Sequence, residues 1–176
     1  MSRVDGQSRG VRAHGTRVIG LVVLAIALAG GSAARARAEA VSPVVKINEA
    51  AAKAEITVQP LRRNISVLTG SGGNITVLTG PAGKLLVDAG IAVSRPRIEA
   101  ALDGISDSPI KYLINTHWHW DHTDGNEWVH QRGATIIAHE NTLKRLSTTT
   151  RVEDWSFTFE PWPVDARPTV VFRTDK

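Results

Sequence analysis

An α/β layered fold is predicted, on three observations. From residue 56 onward, short runs rich in Val, Ile and Leu alternate with stretches of helical composition. Glycine or proline punctuates most of the junctions. The chain has 176 residues, 42% of them apolar, which is enough for about one domain with a sizeable core. Strands that alternate with helices argue against an all-β sandwich or a helical bundle.

Taken in order, the first element is a leader. Residues 1–17 are polar and Arg-bearing, residues 18–29 are an unbroken apolar run, and Ala36-Arg37-Ala38 fits a small-x-small cleavage pattern. A 12-residue helix rises about 18 Å, short of the roughly 30 Å hydrocarbon core. Residues 1–38 are therefore expected to be a signal peptide. Its removal would release residues 39–176 to the periplasm or the medium, with no stable membrane anchor. The leader also explains the charge. The whole chain is +4, but residues 1–38 carry +5 and the remainder −1. With no basic surplus to neutralise phosphates, the body is not expected to have nucleic acid as its main partner.

Residues 46–55 have helical composition. The near-duplicates Asn-Ile-Ser-Val-Leu-Thr-Gly (64–70) and Asn-Ile-Thr-Val-Leu-Thr-Gly (74–80), separated by Ser71-Gly72-Gly73, read as a β-hairpin. Each copy matches an Asn-x-Ser/Thr acceptor pattern, read here as strand punctuation. Residues 84–88 form a strand ending in Asp88. Ser94 is placed to cap a helix over 95–102 with Pro96 in its first turn. Pro109 opens a strand over 110–115, and 123–132 reads as one helix stopped by Gly133. A third buried strand covers 134–138 and a short helix 140–146. Residues 147–176 hold five of the nine aromatics among prolines. That segment is expected to be extended and loop-rich, its aromatics packing against the sheet edge.

One constellation carries chemistry. Residues 117–122 read His117-Trp118-His119-Trp120-Asp121-His122, immediately after a buried strand. Alternate residues of an extended segment point the same way, so His117 and His119 can converge on one ion. Asp121 and His122, at the turn into a helix, can face a second. The chain has no cysteine, which excludes thiolate ligands, a thiol nucleophile and disulfides. Imidazole with carboxylate suits Zn²⁺, with Fe or Mn as alternatives. The carboxyl end of a strand is also where open α/β sheets place their sites.

This hexad resembles the signature of the metallo-β-lactamase superfamily, binuclear zinc hydrolases with an αββα sandwich fold. The resemblance covers about residues 56–146. It includes the paired early strands, the Val87-Asp88-Ala89-Gly90 strand end, a helix, and a strand leading into the hexad. It implies that His117 and His119 ligate a first zinc and that Asp121 and His122 ligate a second. Asp121 would also hold the proton of the attacking water, and Asp88 would orient the metal site without ligating. Trp118 and Trp120 stand at variable positions. The implied partner is a small-molecule substrate, a β-lactam being one of several classes.

The departures matter equally. The resemblance implies a third His, a bridging Asp and a last His from a following half, yet no His occurs after His139. His130, in a helix, and His139, just past a strand, read as structural. The expected architecture is thus an αββα sandwich truncated after its first αβ half, with an apolar sheet face left for association. Four donors over two ions fall below the three protein ligands of a catalytic zinc site. Two readings follow: an exported zinc-dependent hydrolase, or a catalytically inactive fragment of one.

Overall fold

A computed structural model describes residues 41–173. The leader expected over 1–38 lies outside the described residues. Helix α1 (Pro43–Ala51) starts where Ser42 accepts a hydrogen bond from the Val44 amide, with Pro43 in the first turn. It begins and ends earlier than the composition of 46–55 suggested. Strands β1 (Thr57–Pro60), β2 (Ile65–Thr69), β3 (Ile75–Gly80) and β4 (Gly83–Val87) form an antiparallel meander. The repeated heptads are the expected hairpin, with Ile65 opposite Leu78 and Leu68 opposite Ile75.

From β4 the sheet turns parallel. Helix α2 (Arg95–Ile105) leads to β5 (Ile110–Asn115). Helices α3 (Trp120–Thr123) and α4 (Asn126–Gln131) lead to β6 (Thr135–His139), and α5 (Glu140–Leu146) follows. Strands β7 (Thr150–Val152) and β8 (Phe157–Phe159) make a separate antiparallel ribbon. Strand β9 (Val170–Phe172) joins β6 in parallel. The seven-stranded sheet runs β1-β2-β3-β4-β5-β6-β9.

Two expectations about helices are corrected. Residues 123–132 are not one helix: the chain breaks at Asp124-Gly125, where the Gly125 amide donates to the Gly90 carbonyl at 3.0 Å. A Cβ on Gly125 would meet the Ala89 carbonyl oxygen at 2.3 Å, so the strand end and the helix approach too closely for any other residue. Ser94 does not cap α2 through its side chain; its hydroxyl donates to Ala51 O at 3.0 Å and ties α1 to the domain.

Strand alternation gives the sheet two unlike faces. Leu68, Val77, Leu86, Leu113 and Ile136 on one face are buried under Ile98 and Leu102 of α2 and Trp128 and Val129 of α4. The opposite face contributes no residue to either buried cluster of the described chain. Among the described residues no helix is long and apolar enough to cross a membrane.

Candidate metal centre

The centre is built where β4 and β5 end side by side. Asp88, one residue past β4, has φ 65°, a left-handed backbone that Asp tolerates better than most residues. Its amide still donates to Ile114 O at 2.8 Å while the chain turns sharply away. The carboxylate is 4% exposed and pays for that burial with three hydrogen bonds. The Thr116 amide donates to Oδ1 at 2.8 Å. The Thr116 hydroxyl and His122 Nδ1 both reach Oδ2, at 2.7 and 2.8 Å.

Those bonds set the imidazole tautomers. Toward a carboxylate, His122 Nδ1 is the donor of its 2.8 Å bond to Asp88 Oδ2. The Thr116 hydroxyl spends its proton on Asp88, so at 3.0 Å it accepts from His117 Nδ1. The rings lie together: His117 and His119 are 4.5 Å apart between centroids, and His117 and His122 are 4.3 Å apart. His122 Nε2 stands 3.4 Å from Asp121 Oδ2, in the first turn of α3. Burial pushes the His117 imidazole below its ordinary range, and neighbouring His122 and His119 push the same way. Asp88 and Asp121 oppose this. The structure thus brings His117, His119, Asp121 and His122 into one neighbourhood by pairwise contacts, with Asp88 bonded to His122 and Thr116.

Sequence reasoning missed two supports. Thr116 links Asp88 to His117, and nothing in its identity marks it beyond adjacency to the hexad. The Ser71-Gly72-Gly73 loop, read only as a hairpin turn, packs on the hexad: the Gly73 amide donates to Asp121 O at 3.1 Å. A Cβ on Gly73 would lie 2.7 Å from that oxygen and 2.8 Å from His122 Cε1. The paired glycines were the available signal. Asp124 holds the segment after Gly90, accepting from the Ala92 amide at 2.8 Å; burial raises its carboxyl above the ordinary range, and that amide opposes the rise. His130 faces the Ala134 carbonyl, and His139 accepts from the Asn141 amide at the start of α5.

The aromatic segment is corrected too. Phe159 and Trp162 are buried with Trp120 and Leu146, and Trp118, Trp155 and Phe157 pack around them. They form a second core behind the hexad rather than a cover for the sheet edge; only β9 reaches that edge. Trp155 stands 6.4 Å from His119 and 5.7 Å from Trp120, ring to ring.

Imidazole and carboxylate groups without sulfur are of the chemistry that holds a divalent metal ion. Among the described residues, however, no group of three or more His, Asp or Glu has converged into a formed metal site.

A one-sided α/β layer with an imidazole–carboxylate cluster at the carboxyl ends of its strands defines a class of open-sheet proteins with a polar site at the strand ends. The particular family follows from comparison: the metallo-β-lactamase superfamily model matches residues 68–175, and the chain belongs to that superfamily. The match extends through the aromatic segment, past the residue-146 limit expected from the motifs. No curated protein matches the chain. Among solved structures, it is similar to a B3 metallo-β-lactamase with an active-site glutamic acid. There the identity is 18% and the TM-score 0.59, over 76% of this chain and 51% of that one. It is also similar to a Cronobacter sakazakii metallo-β-lactamase with a HARLDQ motif (20%, TM-score 0.60, 74% and 51%). A third is a β-lactamase from Chitinophaga pinensis (19%, TM-score 0.57, 71% and 48%). The chain spans about half the length of these structures, and the likeness is one of fold.

Proposed function

We propose that this chain carries the hexad half of an exported, zinc-dependent hydrolase of small molecules. One observation supports it most: two of the four hexad groups, His117 and His122, are tied through their Nδ1 atoms to one buried carboxylate, Asp88, His122 directly and His117 by way of the Thr116 hydroxyl. A surface histidine cluster needs no such support. When bound, zinc would supply Lewis acidity toward water and toward the scissile carbonyl or phosphoryl group. His117 and His119 would hold a first ion, and Asp121 and His122 a second. Asp121, 25% exposed at its side chain, would accept the proton of the attacking water. Export rests on the leader composition of residues 1–38.

A second reading, an inactive fragment, is favoured by the unconverged donors. The experiment is hydrolysis of β-lactam, thioester and phosphodiester substrates by the zinc-loaded chain and by Asp121→Ala. Slow turnover, sensitive to chelator and lost in Asp121→Ala, supports the hydrolase. Zinc binding through the hexad without turnover supports the inactive fragment.

A further inference from the structure

His117 and His122 are held by hydrogen bonds that lead to Asp88. His119 makes no side-chain hydrogen bond among the described residues. It has ring contacts instead. Trp118 stands 5.0 Å from it at 81° and Trp155 6.4 Å away at 64°, both edge to face. Trp118 is the chain neighbour of His119 and follows it wherever the hexad goes. Trp155 comes from the β7–β8 ribbon. Val152 pairs with Phe157, so residues 153–156 are the loop of that ribbon. Glu153, Asp154 and Ser156 are exposed, and of the four only Trp155 turns inward. The Ser156 amide closes the turn on Glu153 O at 2.9 Å, and Ser156 takes φ 46°, a left-handed backbone that costs a serine energy. A loop that only joined two strands would favour Gly or Asn there and polar residues beside it. The indole is also backed from behind. Trp120 lies 5.7 Å from it at 76°, and Trp120 Nε1 donates to Asn48 Oδ1 of α1 at 3.0 Å.

We infer that Trp155 is a positioning residue for His119, taking the part that the Asp88 bonds play for His117 and His122. An imidazole turns about a broad χ2 well, so a ring without a hydrogen bond is restrained by what packs against it. The β7–β8 loop supplies that restraint from outside the hexad. The consequence at zinc rests on His119 being a ligand, as proposed above; the ring contact itself does not. A ligand ordered before binding loses less freedom when the ion arrives. Trp155 also lies 6.4 Å from Phe159, ring to ring, so it contributes to the aromatic core as well. Phe157 separates the two roles. It belongs to the same ribbon and packs on Phe159 at 4.8 Å, but it makes no ring contact with the hexad among the described residues.

The test uses the full 176-residue chain, with Trp155→Leu, Trp155→Phe and Phe157→Leu compared at unchanged circular dichroism. NMR of the metal-free proteins reads the His119 ring protons, assigned by their loss in His119→Ala. Those signals should move and broaden in Trp155→Leu and stay in place in Phe157→Leu. Zinc affinity by chelator competition should fall about 10-fold in Trp155→Leu, as for other supports of a ligand, and recover in large part in Trp155→Phe. Unmoved His119 signals in Trp155→Leu would overturn the proposal. Equal effects of Trp155→Leu and Phe157→Leu would overturn it too, since Trp155 would then serve the core alone. So would an affinity that Trp155→Leu leaves intact while His119→Ala lowers it. Failure of the ligand reading has a different sign: His119→Ala would bind zinc as the parent does, and the ring signals would still decide the role of Trp155.

Discussion

His122 donates through Nδ1 to Asp88 Oδ2 at 2.8 Å, across 34 residues of sequence. The bond joins the end of β4 to the first turn of α3 and decides which nitrogen of His122 faces Asp121. Asp88→Asn keeps the volume but replaces one acceptor oxygen with a donor. Zinc affinity should fall about 10–100-fold, the usual effect of losing a ligand's supporting partner. Competition against a chromophoric chelator measures it; an unchanged affinity would mean that Asp88 does not orient the site.

Glycine positions offer a paired test. Gly73→Ala puts a Cβ against Asp121 O and His122 Cε1, and should cost about 1–3 kcal/mol while weakening zinc binding. Gly104→Ala in α2 meets nothing within 4 Å and should stabilise by about 0.5–1 kcal/mol. Urea unfolding of both variants checks the signs; destabilisation by both would show that the Gly73 contact is not special.

Asn115 and Asn126 exchange two side-chain hydrogen bonds of 2.9 Å, and Asn126 Nδ2 also donates to Ala166 O at 2.9 Å. Both side chains are buried. Asn126→Ala strands the Asn115 amide and the Ala166 carbonyl, and should cost about 2–4 kcal/mol. A double-mutant cycle with Asn115→Ala should give a coupling above about 1 kcal/mol. Additive effects would rule out the paired geometry.

A pH test rests on Lys84, 3% exposed and donating to the Ser106 carbonyl. Burial holds its ammonium below the usual 10.5, against the pull of Asp103 and Asp107. The unfolded chain therefore keeps this proton to higher pH than the folded one, and stability should rise with pH in the window just below 10.5. Lys84→Met should remove that rise. Urea midpoints at pH 7.5 and 9.5 for both proteins decide it; equal slopes would place the proton linkage elsewhere.

What was legible in the sequence had local causes. The heptad repeat carried strand composition and a glycine turn, and β2–β3 followed. Ile110–Asn115 and Glu140–Leu146 lie between proline, glycine or polar stops and came out with their expected bounds. The hexad was legible as a cluster of side chains because its members are adjacent in sequence. What failed was long-range. The break at Asp124-Gly125 comes from the Gly90 carbonyl, 35 residues earlier, and nothing in the local helical pattern records it. Trp155 and Phe159 looked like sheet-edge packing because their partners, Trp118 and Trp120, were read as variable positions of a motif. Thr116 and Gly73 matter through the groups they touch, which only the fold brings near.

Metal stoichiometry after gel filtration tests whether the hexad holds the metal. The zinc-equilibrated full chain and its His119→Ala variant are passed through the same column and analysed for bound metal. Zinc should be retained by the parent and largely lost from His119→Ala, with the same elution volume for both. Equal, stoichiometric zinc in the two proteins would place the ligands outside the hexad that Asp88 supports.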